Sequence, residues 1–299
     1  MKNLKIHLLG IDTQNDFCDI PVELQPFNPL AIAARMAQGK VPFDPSDLPA
    51  RIAPALPVPG AHQDMLRLAA LINRLGSKLY DIHITLDSHN PIDIAHPTWW
   101  RNAQGDKPAP FTMISAADVR NGVWRARNPK AQAYSLSYVE ALEANARYML
   151  IIWPEHCLIG SWGHNVHYAV ADALNNWARE RMEVVNYVTK GSNAKTEHYS
   201  AVQAEVPDPS DPSTTLNGGL IQTLSDADII LVAGEALSHC VASTVRDIAN
   251  NFGEENIKKL VLLTDCTSSV AGFDDLGKKF IDEMKARGMQ TALSTDFLV

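Results

Sequence analysis

Strand-length apolar runs alternate with helix-period segments along most of the chain, and this alternation constrains the fold more than any other feature. Parallel strands need a crossover of a dozen or more residues, usually a helix, so the pattern predicts a parallel sheet with helices on both faces. Strands are expected over 4–12, 78–87, 148–153, 183–189, 228–234, 259–265 and 289–294. Helices are expected over 63–75, 165–180, near 218–224, 240–251 and 274–287. The expectation is an α/β chain folded as three α/β/α layers around a six-stranded, mostly parallel sheet, as one domain over residues 1–299.

Two segments break the rhythm. Residues 20–59 are rich in proline, and residues 97–145 carry the aromatic pair Trp99 and Trp100. Both read as insertions, and long irregular segments in a compact fold usually form lids, site walls or subunit contacts. Residues 206–215 form a third, shorter loop.

Composition narrows the partners. The 26 Lys and Arg residues against 34 Asp and Glu give a net charge of −8, with no basic run, which speaks against nucleic acid. No apolar stretch approaches the roughly 20 residues of a membrane helix, and the first residues lack the apolar core of a signal peptide, so no membrane association and a cytoplasmic location are expected. Cys18, Cys157, Cys240 and Cys266 lie far apart, suggesting neither a disulfide framework nor a cysteine-built zinc site.

Ligands of open parallel sheets sit beyond the carboxyl ends of the strands, so those ends are read together. They carry Asp12 to Phe17, then Asp87-Ser88-His89 with His96, then Trp153 to Cys157, Lys190-Gly191, and Gly234 to Cys240. In Asp87-x-His89 the two side chains of an extended segment point the same way, and His96 can return to them after a short loop. Such mixed oxygen and nitrogen ligands suit zinc, iron(II) or manganese, with His156 a candidate fourth ligand. The plain alternative is a turn-capping Asp with surface histidines.

Cys240 stands where a strand gives way to a helix, and a helix N-terminus lowers a thiol pKa. Asp12 could take its proton and Lys190 could stabilise the anion. Against this stands the reading of Cys240 as a small buried hydrophobe, Asp12 as a helix cap and Lys190 as a solvated charge. Cys18 and Cys266 have no base nearby and read as structural, while His164, His167 and His198 read as surface or helix-capping residues. Gly218-Gly219 is too short for a phosphate loop.

These motifs, in this order and spanning residues 4 to 294, resemble the isochorismatase-like cysteine hydrolases and, within them, the nicotinamidases. The resemblance implies a triad of Asp12, Lys190 and Cys240, and a divalent metal, zinc foremost, held by Asp87, His89 and His96 with His156 close by. It also implies a cis peptide between Glu235 and Ala236, an oxyanion hole made by the amides of Ala236 and Cys240, and a pyridine ring held between Phe17 and Trp153. The implied activity is hydrolysis of nicotinamide to nicotinate and ammonia through a thioester, by a chain expected to form a homo-oligomer. Two departures stand out: the chain is longer than the usual member, and its cysteine loop reads Leu237-Ser238-His239 where the family commonly has Thr-Asp-aromatic. The competing readings are a related amidase acting on a carbamoyl or ureido compound, and a catalytically silent metal-binding scaffold.

Overall fold

A computed structural model describes residues 4–41, 50–145 and 148–298. Its strands are β1 (Ile6–Ile11), β2 (Leu79–Asp87), β3 (Trp100–Arg101), β4 (Met113–Ile114), β5 (Arg125–Ala126), β6 (Leu150–Ile151), β7 (Asn186–Lys190), β8 (Ile229–Gly234), β9 (Leu260–Leu263) and β10 (Gln290–Ala292). Six of them form the main sheet in the order β10-β9-β8-β1-β2-β7, with every pairing parallel. The central strands β1, β8 and β9 are apolar apart from His7 and almost wholly buried, as a sheet covered on both faces requires.

The helices are α1 (Pro29–Ala37), α2 (Ala61–Leu75), α3 (Ala116–Arg120), α4 (Gln132–Ala144), α5 (Tyr168–Arg181), α6 (Gly218–Ser225), α7 (Ala242–Phe252) and α8 (Asp274–Ala286). Helix α2 buries Met65, Leu68, Ala69, Leu71, Ile72 and Leu75 at helical spacing. The strand order explains the layering. The crossovers β1-α2-β2 and β2-α5-β7 run one way along the sheet, while β8-α7-β9 and β9-α8-β10 run the other. Right-handed crossovers then place α2 and α5 on one face and α7 and α8 on the other. In agreement, α2 packs on α5 and α7 on α8. The direction reverses between β1 and β8, which makes their carboxyl ends the natural crevice.

One expected main-sheet strand lies elsewhere. Only Leu150–Ile151 of residues 148–153 is extended in a ladder, as β6, and it pairs antiparallel with β4 from segment 97–145. A short buried apolar run announces a strand but carries no mark of its partner. The helix expected from Cys240 is preceded by a wide turn over Leu237–Val241, so α7 begins at Ala242.

The two irregular segments are more ordered than their composition suggests. Segment 20–59 contains α1, started by Asn28, whose side chain accepts from the amides of Leu30 and Ala31, and by Pro29 in the first turn. Its later part lies along the loop after β1, where the amides of Leu56 and Val58 donate to the carbonyls of Asp16 and Phe17. Residues 42–49 of that segment are outside the described part. Segment 97–145 holds the β3–β5 pair, α3 with a Ser115–Asp118 capping box, and α4, which buries Tyr138, Val139 and Leu142. Trp100 is fully buried, and its indole donates to the carbonyl of Ile94. Among the described residues no helix is long and apolar enough to cross a membrane.

Candidate active site

The carboxyl ends of β1, β2, β7 and β8 converge on one narrow cavity lined by Phe17, Leu56, Asp87, Trp153, His156, Glu197, Tyr199, Ala236, His239, Cys240 and Val270. Backbone geometry prepares it. Asp12 directly follows β1 in a left-handed conformation with φ 47°, and its amide donates to Thr85 Oγ1 at 2.9 Å. At Gly234, with φ 112°, a Cβ would lie 1.9 Å from the carbonyl oxygen of Ile11, so only glycine lets the chain leave β8 against β1 and enter the cysteine loop. The Glu235–Ala236 peptide that follows is cis.

Four side chains meet at the thiol end. The Lys190 ammonium lies 2.8 Å from Asp12 Oδ2, 3.0 Å from Asp87 Oδ1 and 3.7 Å from Cys240 Sγ, and donates to the carbonyl of His198 at 3.0 Å. The second carboxylate oxygen of Asp12 accepts from the Thr85 hydroxyl at 2.5 Å. All of these groups are buried, so their charges act through little water. Burial opposes the lysine charge, but Asp12, Asp87 and Cys240 outweigh it and hold Lys190 well above the usual lysine range. For Asp12, burial raises the carboxyl above its ordinary value, with Lys190 opposing and Asp87 adding to the rise. Burial also pushes the Cys240 thiol well up; Lys190 lowers it, and Asp12 and Asp87 raise it. The lowering of the thiol expected from a helix start is therefore outweighed by burial. Cys240 precedes α7 by two residues in a buried turn, and what stands ready beside the thiol is a carboxylate with enhanced basicity.

Around His156 and Asp87, which line the cavity, further histidines gather. Ring nitrogens of His89, His96 and His156 lie within 4.8 Å of one another. Asp87 Oδ2 is 3.1 Å from His89 Nε2 and 3.4 Å from His156 Nε2. The outward nitrogens are held from behind: His89 Nδ1 meets Asp93 Oδ2 at 3.1 Å, and His156 Nδ1 meets the carbonyl of Pro154 at 2.8 Å. That backing fixes the tautomer that aims Nε2 inward, the usual support of a metal-binding histidine. His96 is fully buried beside the backbone of Asn90 but without a well-aligned hydrogen bond at either ring nitrogen, and burial, with His156 and His89, lowers it to about 2, leaving a neutral imidazole. Burial works against charge on His89, yet Asp87 and Asp93 outweigh it and raise the imidazole well above its ordinary value. A spot where two carboxylates favour positive charge beside nitrogen donors without a well-aligned hydrogen bond fits a divalent cation, so the donor set expected from sequence passes a chemical test. Gly191, with φ 80°, keeps this corner open, since a Cβ there would sit 2.7 Å from Asp87 Oδ1.

The expected ring-binding residues, Phe17 and Trp153, both line the cavity. Trp153 donates from its indole to Tyr199 Oη at 3.0 Å and meets His239 edge-on at 5.1 Å between centroids. His239 stacks on Tyr148 and contacts Phe273; burial lowers it to about 4, so it is neutral. Both irregular segments reach the site, one through Leu56 in the lining, the other through Phe111 against Trp153 and the Tyr138 hydroxyl, which accepts from the amide of Glu197.

Sequence reasoning missed several supports. Gln14 clamps Asp87, donating to its carbonyl at 2.8 Å and accepting from its amide at 2.7 Å, and Gln14 lay within a motif that already suggested importance. Asp93, four residues after His89, had a similar cue. Thr85 and Glu197 had none. His198 and His167 are buried rather than superficial: His198 Nδ1 accepts from the amide of Gly191, while His167 does cap α5. Their neighbours come from distant chain segments, so local sequence could not report their burial.

No protein-family model matches the chain, and no curated protein matches it by sequence. By structure it is similar to a nicotinamidase and pyrazinamidase of Acinetobacter baumanii, at 19% identity and a TM-score of 0.60, with 100% of each chain covered. It is also similar to the yeast nicotinamidase bound to the inhibitor nicotinaldehyde, at 17% identity and a TM-score of 0.58, covering 96% of this chain and 99% of that one. A pyrazinamidase of Pyrococcus horikoshii in complex with zinc follows at 16% identity and a TM-score of 0.50, covering 97% and 99%. The likeness is one of fold. The three-layer architecture with its six-stranded parallel sheet is the fold the chain shares with these structures.

Proposed function

We propose that this protein is a cysteine amidohydrolase that converts nicotinamide and water to nicotinate and ammonia. The observation that carries the reading is a cavity lined by Cys240, Asp87, His156, Phe17 and Trp153, with Lys190 and Asp12 buried against the thiol and His89 and His96 buried against His156.

In this reading Asp12 removes the proton of Cys240 Sγ, and the nearby Lys190 ammonium stabilises the thiolate as it forms. The sulfur attacks the carboxamide carbon. The resulting oxyanion is assigned to the backbone amides of Ala236 and Cys240. Asp12 returns its proton to the departing amine, so the carbon–nitrogen bond breaks, ammonia leaves and a thioester remains. Asp12 then takes a proton from water, whose oxygen displaces the sulfur, releasing nicotinate and restoring the thiol. A divalent ion held by Asp87, His89, His96 and His156 would supply Lewis-acid affinity for a ring nitrogen. Phe17 and Trp153 supply the flat apolar faces that orient the ring.

Ammonia release from nicotinamide and pyrazinamide, set beside release from open-chain carbamoyl compounds, tests the reading. Turnover of the ring amides supports it. Activity on the carbamoyl compounds alone hands the site to a related amidase, and absence of ammonia from all of them points to a silent scaffold.

A further inference from the structure

A second histidine and carboxylate cluster sits on the same two strands, towards their amino-terminal ends. The β1–β2 register sets His7 opposite Asp81, and Asp81 and His83, two residues apart on β2, project from one face. His7 Nδ1 lies 3.1 Å from His83 Nε2, and His83 Nε2 lies 3.6 Å from Asp81 Oδ2. All three donors fall within 4.8 Å of one another. Two atoms bound tetrahedrally to one zinc at about 2.0–2.1 Å stand roughly 3.3 Å apart, so both spacings are those of ligands sharing an ion. We propose that His7, Asp81 and His83 form a second divalent-cation site, of the zinc class, that ties β1 to β2.

The surroundings favour this arrangement. Both histidines are buried, and Asp81 is partly exposed, offering an entrance. The far nitrogen of His83, Nδ1, lies 3.0 Å from the Asn186 side-chain amide. With that amide turned so that its oxygen faces the ring, Nδ1–H donates to it and the Nε2 lone pair is left for an ion, as in other backed metal histidines. Tyr80, at the register irregularity, stacks on His7 at 5.7 Å and covers the imidazole. Asp226 adds negative charge near His7, and Lys5, whose ammonium lies over Tyr80, opposes it. The set is two imidazoles and one carboxylate, which leaves a fourth position for water. Asp12 lies five positions after His7, about 16 Å along the strand, so the cluster is distinct from the cavity described above.

Metal analysis of the full chain, stripped with a chelator, dialysed against zinc and freed of excess, decides the matter. The inference expects two zinc ions per chain in the unaltered protein and one in Asp81→Asn, whose amidase rate stays within about twofold. It expects one ion in His89→Ala and none when both substitutions are combined. The His89→Ala protein should also melt at higher temperature with zinc than without, and that gain should vanish on adding Asp81→Asn or His7→Asn. A zinc content unaffected by Asp81→Asn, with no zinc-dependent rise in melting temperature for His89→Ala, overturns the inference and leaves a plain hydrogen-bonded histidine pair. One ion lost in Asp81→Asn but kept in His89→Ala upholds this site and removes the ion from the proposed active site instead. No bound zinc at all overturns both.

Discussion

The two ends of the site solve the problem of buried polarity in opposite ways. At the thiol end each charge has a partner: Lys190 bridges Asp12 and Asp87, Thr85 satisfies the other oxygen of Asp12, and the carbonyl of His198 takes a further lysine proton. At the histidine end His96 lies by the Asn90 backbone without a well-aligned hydrogen bond at either nitrogen, beside Asp87 and two imidazoles. A buried polar group left unpaired costs about 1–3 kcal/mol, so a chain keeps such a group where something outside the polypeptide satisfies it. The first end is complete within the chain. The second is shaped for an added cation.

The largest effect should come from breaking the thiol end. Cys240→Ala should abolish ammonia release, with a loss of at least about a thousandfold, while the fold and nicotinate binding survive. Calorimetric binding of nicotinate together with an ammonia assay checks this. An alanine variant retaining a tenth of the activity would remove Cys240 from the mechanism.

The histidine end is sharpened by His96→Leu. Because neither imidazole nitrogen makes a well-aligned hydrogen bond within the chain, the leucine variant should be as stable as the parent in chelator, or more stable, by up to ~1–3 kcal/mol. With zinc present the order should reverse, and affinity for the ring amide should fall by tenfold or more. Melting curves with and without zinc, and the KM for nicotinamide, give both readouts. A variant less stable than the parent in chelator would show that His96 serves the core rather than an ion.

The same contrast explains what was legible beforehand. The six-stranded parallel sheet could be read because period-two and helical patterns are local, and Asp12, Lys190 and Cys240 could be placed together because strand ends of a parallel sheet converge. The histidine cluster was legible through Asp87-x-His89, which one strand end displays. Partnership was hidden. Nothing local tells that Leu150–Ile151 pairs with segment 97–145, that Tyr138 supports Glu197, or that burial lifts the Cys240 thiol rather than a helix start lowering it. Those facts depend on contacts between distant segments, where sequence pattern carries least information.

The ring itself tests whether the two ends act together. In the proposed reading nicotinamide presents a carboxamide to Cys240 and a ring nitrogen to the histidine end, whereas benzamide keeps the flat ring and carboxamide but has no such nitrogen. Loss of that one oriented contact corresponds to roughly 1.4 kcal/mol, so kcat/KM should favour nicotinamide by at least about tenfold. Equal rates on both compounds would mean that the histidine end plays no part in recognition.

The smallest expected effect lies at the wall between the ends, where His239 packs against Trp153, Tyr148 and Phe273. Burial lowers its imidazole to about 4, below its ordinary value of 6.5. Between those two pH values the unfolded chain binds more protons than the folded one, so stability rises with pH across the window. It is fully present above 6.5 and is lost as pH falls towards 4. At pH 6 the loss from this residue is under ~1 kcal/mol, and it grows by up to ~1.4 kcal/mol for each further unit. His239→Phe keeps a flat ring against the same neighbours but has nothing to protonate. Denaturant unfolding at pH 7, 6 and 5 should therefore give the phenylalanine variant a shallower decline than the parent, on a constant offset from the lost 2.9 Å hydrogen bond between Ser238 Oγ and His239 Nδ1. Parallel declines for the two proteins would mean that His239 takes up its proton without leaving the aromatic wall, and that the wall is wetter than its packing implies.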